Sequence, residues 1–321
     1  MRVDTPVIPD RRRLEEALGE IVPGIREAKL RVTARESHVC ASSHPLEIVT
    51  CSLDDGRSLR LICKYSELAA PSGREPRGGV PYEAAVYRGL LVPSCASVPA
   101  LYGTFVDEET GTIGLCLEHV EDCSRLSEGT GQDLVETARW LARFHSAFEP
   151  PGPELDLSFL FAHTREDYLE SSRRARELMR SLLRSLPWFE KLCRGFEEFA
   201  TLLARAPKTV IHGELYPHNV LLRDGAIVPI DWESAAVAAG ELDLAALTDG
   251  WASDAVADCE TAYRNTRWRD PEPADFERSL AAARVFWHLR WLGDRDCWTR
   301  EKDPLRRILE LRRLGQEWGL L

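Results

Sequence analysis

No uninterrupted apolar run in this 321-residue chain approaches the roughly 20 residues needed to cross a bilayer, so no membrane partner is expected. No apolar run follows the charges of Met1-Arg2-Val3-Asp4 either. No secretory signal is therefore visible, and a cytoplasmic chain is expected. No CxxC pair occurs among the nine cysteines (Cys40, Cys51, Cys63, Cys95, Cys116, Cys123, Cys193, Cys259, Cys297). Their spacing speaks against zinc, and in a reducing compartment most should be small buried thiols. Positive charge is not in excess. The formal net charge of -11 speaks against sequence-independent binding of nucleic acid, which depends on neutralising phosphates with Lys and Arg. What remains is an ordinary globular composition, 44% hydrophobic and 29% charged, long enough for two modest domains or one bilobal unit. There is no internal repeat and no low-complexity tail.

The first third reads as strands around one helix. Arg11 to Ala28 has the pattern of a short helix with a charged face. Lys29–Arg35, Leu46–Leu53 and Ser58–Tyr65 read as strands, with Asp54-Asp55-Gly56 a turn between the last two. In the third strand Leu59, Leu61 and Cys63 fall on one side and Arg60, Ile62 and Lys64 on the other. Ala69–Val80 is a Pro- and Gly-rich loop, and Pro81 opens a helix. Leu101–Val106 and Thr112–His119 give two more strands. After Val120 the spacing turns helical: Gln132–Phe148, then Asp167–Arg205 with a break near Pro187, then Leu242 onward. Only Val210–Asp231 returns to strands. The predicted class is α+β, with a small antiparallel lobe carrying one helix (residues 1–119) and a larger, mainly helical lobe (residues 120–321).

The segment rich in chemistry runs from Val210 to Glu233. Val220–Leu222 and Ile227–Ile230 are short apolar runs with Asp224-Gly225 between them, a strong hairpin signal. A hairpin brings its open ends together, so Asn219 and Asp231, just outside those ends, should be neighbours. An amide oxygen beside a carboxylate makes a hard-oxygen site suited to Mg²⁺. Glu214, five residues before Asn219, can aim a second carboxylate at the same region. Phosphoryl transfer calls for this set: metal ligands for the nucleotide phosphates and a separate carboxylate for the acceptor hydroxyl.

The stretch His212-Gly213-Glu214-Leu215-Tyr216-Pro217-His218-Asn219, followed by Ile230-Asp231-Trp232-Glu233, resembles the aminoglycoside-phosphotransferase and choline-kinase group, whose loop reads H-G-D-x-x-x-x-N with a later I-D-W-E or I-D-F-E. The resemblance implies a bilobal protein-kinase-like fold and an ATP- or GTP-dependent, Mg²⁺-dependent phosphotransferase. By it, Asn219 and Asp231 bind Mg²⁺ and Glu214 stands at the catalytic-base position, a Glu where the family has Asp. Gly240 and Asp243 match the family's downstream G-x-x-D-L-A, which assigns Asp243 a bracing role. Lys64 matches the phosphate-binding lysine of the third strand and Glu83 its helix partner. Kinases place a glycine-rich loop between the first two strands. The corresponding stretch here, Glu36 to Pro45, has no glycine, and Ser42 and Ser43 are its candidate phosphate ligands. Backbone groups of Glu118 and Val120 occupy the hinge position that meets the purine edge.

Several features have bland readings. His212 is expected to brace its loop, His145 to be a satisfied core histidine, and Tyr216 and Trp232 to pack beside the site. The run Arg173, Arg174, Arg176, Arg180, Arg184 fits a solvated helix face, and the aromatics Trp251, Trp268, Phe286, Trp287, Trp291 and Trp298 fit core. Three functional readings follow. The first is an O-phosphotransferase acting on a hydroxylated small molecule. The second is a kinase for Ser or Thr of a peptide, with the Arg-rich helix holding an acidic leader. The third is a nucleotide-binding pseudokinase, motivated by Glu214 and the glycine-free loop.

Overall fold

The computed structural model describes residues 7–22, 30–37, 44–68, 78–94, 96–149, 155–181, 183–268, 273–294 and 304–321. Ser42 and Ser43, with Cys40, Cys95, Cys297 and Trp298, lie outside the described residues. By their internal contacts the residues divide into two compact units, the first made of 1–125, 155–160 and 219–235, the second of 126–154, 161–218 and 236–321. The expected lobes, 1–119 and 120–321, were drawn as single stretches of chain, whereas these units are grouped by contact. The hairpin that carries Asn219 and Asp231 packs with the first unit, because the segment following it is hydrogen-bonded to a helix of that unit.

The first unit begins with helix α1 (Arg11–Ile21), capped by Asp10, whose side chain accepts the Arg13 N–H. Five antiparallel strands follow: β1 (Leu30–Ser37), β2 (Leu46–Leu53), β3 (Ser58–Glu67), β4 (Leu101–Asp107) and β5 (Thr112–Glu118), in the sheet order β1-β2-β3-β5-β4. One face buries Val49, Cys51, Leu61, Cys63 and Tyr65 with Leu14 and Leu18 of α1. The period-2 alternation of β3 therefore turns Lys64 to the opposite face. There it meets α2 (Gly79–Val86), which continues through a π turn at Tyr87–Leu91. Pro81 sits inside the first turn of α2, where its missing N–H costs nothing. A short second sheet joins β6 (Ser124–Arg125), β9 (Val220–Arg223) and β10 (Ala226–Pro229) in the order β10-β9-β6. Asp224 and Gly225 both take positive φ, 50° and 77°, the backbone of a two-residue hairpin turn whose twist matches its strands.

The second unit is helical around three short strands. It holds α3 (Gly131–Ala147), α4 (Arg165–Leu178), α5 (Pro187–Arg205), α6 (Glu241–Thr248), α7 (Ser253–Arg267) and α8 (Phe276–Leu292), with a last helix at Pro304–Glu317. Capping boxes start α3 at Thr130 with Asp133 and α4 at Thr164 with Asp167. Pro187 opens α5 at a position that tolerates it, which accounts for the break read there. The strands β7 (Phe161–Ala162), β8 (Lys208–Ile211) and β11 (Ala236–Ala239) pair in the order β7-β11-β8. No helix of the described residues is long and apolar enough to cross a membrane.

Candidate active site

The first unit assembles a lysine between carboxylates. Lys64 Nζ donates to Glu83 Oε1 at 3.0 Å, to Glu83 Oε2 at 2.8 Å and to Asp231 Oδ1 at 2.6 Å. Both carboxylates are nearly or wholly shielded, with side-chain exposures of 0% for Glu83 and 12% for Asp231. Burial alone would push the Lys64 ammonium toward neutrality. Asp231, Glu83 and Glu233 more than offset that, and its pKa lies well above the ordinary value. For Glu83 burial dominates and raises the carboxyl pKa; the Lys64 ammonium opposes the rise and Asp231 adds to it. Glu83 Oε1 also accepts the backbone N–H of Trp232 at 3.1 Å. The segment after Asp231 is tied to the start of α2 a second time, by Gly78 N–H donating to the Glu233 carbonyl at 3.0 Å.

Asp231 takes φ 69° and ψ 63°, a left-handed conformation that a non-glycine residue adopts rarely. That turn aims the carboxylate back at Lys64 as the chain leaves the hairpin. Asn219 is buried at the other open end, and its carbonyl accepts the N–H of Ile230 at 2.9 Å, so the hairpin geometry brings positions 219 and 231 together. Among the described residues no group of three or more His, Cys, Asp or Glu forms a metal cage. The candidate ligands are the Asp231 carboxylate and the Asn219 amide. That suits Mg²⁺, which commonly takes one or two carboxylates and completes its shell with water and phosphate oxygens. Glu83, Asp231 and Glu233 all act on Lys64, and Glu233 also lies 3.7 Å from His44 Nε2.

At the hinge position, the Glu118 N–H is committed to the Ala100 carbonyl at 2.8 Å. Its side chain accepts the Ala100 N–H at 3.0 Å and pairs with Arg223 at 2.7 Å. A purine edge would therefore be left the Glu118 carbonyl rather than its N–H. Val120 is buried, and its carbonyl accepts from Cys123 Sγ at 3.2 Å.

The second unit builds the loop that carries Glu214. Asp243, in α6, receives the His212 N–H on Oδ2 at 2.7 Å and the Gly213 N–H on Oδ1 at 2.8 Å. Its Oδ2 also meets His145 Nε2 at 3.3 Å, while His145 Nδ1 meets the Tyr263 hydroxyl at 2.8 Å. Burial depresses the His145 pKa to about 4, with Asp243 opposing the fall, so the ring is neutral. His145 is thus a satisfied core histidine that steadies Asp243. His212 is buried, and its Nδ1 accepts the Glu214 N–H at 3.3 Å, the bracing role read from the sequence.

Glu214 itself is buried and held by Arg290 of α8. Arg290 Nη2 donates to Glu214 Oε1 at 2.6 Å, and Nη1 donates to the Gly213 carbonyl at 2.6 Å. Tyr216 packs its ring near Trp287 and Trp291 of the same helix, at 6.3 and 6.1 Å between centroids. Arg290 was missed in the sequence because 76 residues separate it from Glu214. Its one signal was a charge inside the apolar run Phe286-Trp287-His288-Leu289-Arg290-Trp291-Leu292. The Arg-rich helix is matched locally: Arg173 pairs with Glu166 and Glu170, Arg176 with Glu190 and Arg180 with Glu177. With Arg174 on Glu170, these four arginines meet acidic residues of their own unit.

Solved structures share this architecture. Choline kinase LicA from Streptococcus pneumoniae superposes with a TM-score of 0.58 at 17% identity, over 90% of this chain and 93% of that one. The GDP and kanamycin complex of an APH(2″) enzyme gives 0.62 at 14% identity, over 95% and 99% of the two chains. An aminoglycoside-3′-phosphotransferase of type VIII gives 0.52 at 19% identity, over 83% and 94%. At such identities the likeness is one of fold, and the fold is the bilobal protein-kinase-like one. No curated protein matches the sequence. The sequence profile of the phosphotransferase enzyme family matches residues 89–281, well over half of the 321, and the chain belongs to that family.

Proposed function

We propose that this chain transfers the terminal phosphoryl group of ATP or GTP to a hydroxyl of a small molecule, with Mg²⁺ as the metal. The observation that carries the reading is the buried ion group in which Lys64 Nζ lies within 3.0 Å of oxygens of both Glu83 and Asp231. A buried lysine bridging a helix glutamate and the aspartate after a hairpin is the arrangement that phosphoryl-transfer enzymes of this fold use on nucleotide phosphates. The similar structures favour a small acceptor: LicA is a choline kinase, also solved with AMP, and the APH(2″) enzyme was solved with GDP and kanamycin.

Asp231 and Asn219 would hold Mg²⁺, which supplies neutralisation of the phosphate charge. Lys64 binds the phosphates, and Glu83 keeps its ammonium in place between turnovers. Ser42 and Ser43 contribute hydroxyl and backbone donors to the phosphates, and the Glu118 carbonyl and Val120 meet the purine. Glu214 accepts the hydroxyl proton of the acceptor as its oxygen attacks phosphorus, so the proton passes to the carboxylate and the nucleoside diphosphate leaves. Asp243 holds the backbone that carries Glu214.

Incubation with Mg·ATP or Mg·GTP and a panel of hydroxylated metabolites, amino alcohols and aminoglycosides tests the reading. A phosphorylated acceptor with stoichiometric nucleoside diphosphate is expected. Absence of both nucleotide binding and nucleotide consumption refutes it.

A further inference from the structure

Arg290 makes two short bonds to consecutive residues of one loop, to the backbone carbonyl of Gly213 and to the carboxylate of Glu214. Both partners are shielded: the side-chain exposures are 16% for Arg290 and 6% for Glu214. Gly213 has φ 84°, and its N–H is already taken by Asp243 at 2.8 Å. The two peptide groups flanking this glycine are thus pinned by different helices, Asp243 of α6 on the N–H and Arg290 of α8 on the carbonyl. Glu214 has one more rotatable bond than the aspartate common in the family's loop, so an unheld glutamate samples more positions. The same guanidinium that fixes the loop removes that freedom. A fork of two parallel N–H donors can do this; an ammonium on a flexible stem cannot span both acceptors in the same way.

We propose that Arg290 is the positioning residue that lets a glutamate serve at position 214, the two acting as one unit in place of the usual lone aspartate. The inference rests on the phosphotransferase reading above. It has a consequence opposite to the simplest expectation from the family pattern: Glu214→Asp, which restores the common residue, weakens the enzyme. The shorter carboxylate withdraws from Arg290 while Gly213 stays held, so the acceptor hydroxyl loses its partner. A displacement of about 1 Å at a reacting group costs on the order of 10²-fold in rate.

The test measures kcat and nucleotide KM for the full-length chain and for Arg290→Ala, Arg290→Lys, Glu214→Asp and the double change Glu214→Asp with Arg290→Ala, with melting temperatures alongside. Each single change is expected to lower kcat by about 10²-fold with nucleotide KM within about twofold, since a change in positioning alone leaves ground-state nucleotide binding alone. The double change falls no further than the worse single one, because the residues act together. Guanidinium ion at sub-denaturing concentration restores part of the Arg290→Ala activity. Arg290→Lys keeps the charge and the stem, and it carries the comparison if Arg290→Ala does not fold. Wild-type kcat in Arg290→Lys or Arg290→Ala overturns the inference. So does a gain of rate in Glu214→Asp, or multiplicative losses in the double variant with no guanidinium rescue. Those outcomes leave the phosphotransferase reading standing. A wild-type chain that neither binds nor consumes nucleotide overturns both.

Discussion

Replacing Lys64 with methionine tests the ion group at the centre of the first unit. The change keeps the length of the stem and removes the ammonium, and with it three charge-assisted bonds of 2.6–3.0 Å. Glu83, with no exposed side-chain surface, is left beside Asp231 without a counter-ion. Breaking one side of a buried pair typically costs about 3–5 kcal/mol, mostly the penalty of stranding the other charge. For a unit of this size that corresponds to a fall of roughly 6–20 °C in melting temperature. The penalty depends on pH with a definite sign. Glu83 already has a raised folded pKa, and losing Lys64 raises it further. The folded state then holds a proton that the unfolded chain releases near the ordinary carboxyl value. Stability is therefore highest below that value and declines as pH rises through the gap to the folded pKa. Calorimetry of Lys64→Met between pH 4 and 8 should show the deficit growing with pH. Adding Glu83→Met to Lys64→Met should recover part of the lost stability, since Glu83 is no longer stranded, while Asp231 still lacks Lys64 and the Trp232 N–H loses its acceptor. The repaired protein should still show no melting shift with Mg·ATP or Mg·GTP. A Lys64→Met protein that melts at the wild-type temperature, or a double variant no more stable than the single, refutes the reasoning.

Further outcomes follow from other contacts. Asp231→Asn should lower kcat by about 10²–10³-fold, as loss of a preorganised charge partner does, and should abolish the Mg²⁺ dependence of nucleotide affinity measured by calorimetric titration. His145 is neutral in the fold with a pKa of about 4 and ordinary when unfolded, so the unfolded chain takes the proton first as pH falls below 6.5. Stability is full above that value and lost toward pH 4, by about 2 kcal/mol at pH 5, and His145→Gln should flatten the slope of urea-unfolding free energy against pH. Gly240→Ala would drive a methyl into Arg267 Nη1, His145 Nδ1 and the Tyr263 hydroxyl, all part of one buried network. A loss of about 1–3 kcal/mol by urea unfolding is expected, and an unchanged midpoint would show that the network yields.

The parts of this fold legible in the sequence were those written in local chemistry. Asp224-Gly225 can take the two positive φ angles of a tight hairpin, so the closeness of positions 219 and 231 followed from two residues. Lys64 could be placed on the face opposite Cys63 because strand alternation is strict. Other features depend on partners far along the chain. The strand Ala236–Ala239 pairs with Lys208–Ile211 and Phe161–Ala162, yet its alanines carry no β-branched signal, and only its burial between neighbours makes it a strand. The hairpin belongs by contact to the first unit although a run of helices surrounds it in sequence, because the bonds from Trp232 and Glu233 to α2 outweigh chain order. Arg290 lay within an aromatic helix whose spacing reads as core.

Local charge balance separates the two halves of the proposed chemistry. In the first unit, Glu83, Asp231 and Glu233 all act on Lys64, so the carboxylates outnumber the ammonium they share. In the second, Glu214 has Arg290 beside it at 2.6 Å, and the carboxylate is balanced within the protein. A carboxylate that must share a dication with phosphate should sit where charge is in excess. One that must take a proton from a neutral hydroxyl should not compete for that metal. The arginine therefore does more than hold the longer side chain still. It makes Glu214 a poor second site for Mg²⁺, the metal that the proposed reading gives to Asp231. Removing Arg290 should then add a second, weaker class of Mg²⁺ binding visible by isothermal titration, and Arg290→Ala with Glu214→Gln should erase it. If Arg290→Ala shows the same single class of metal binding as the wild type, charge balance is not what keeps the two sites apart.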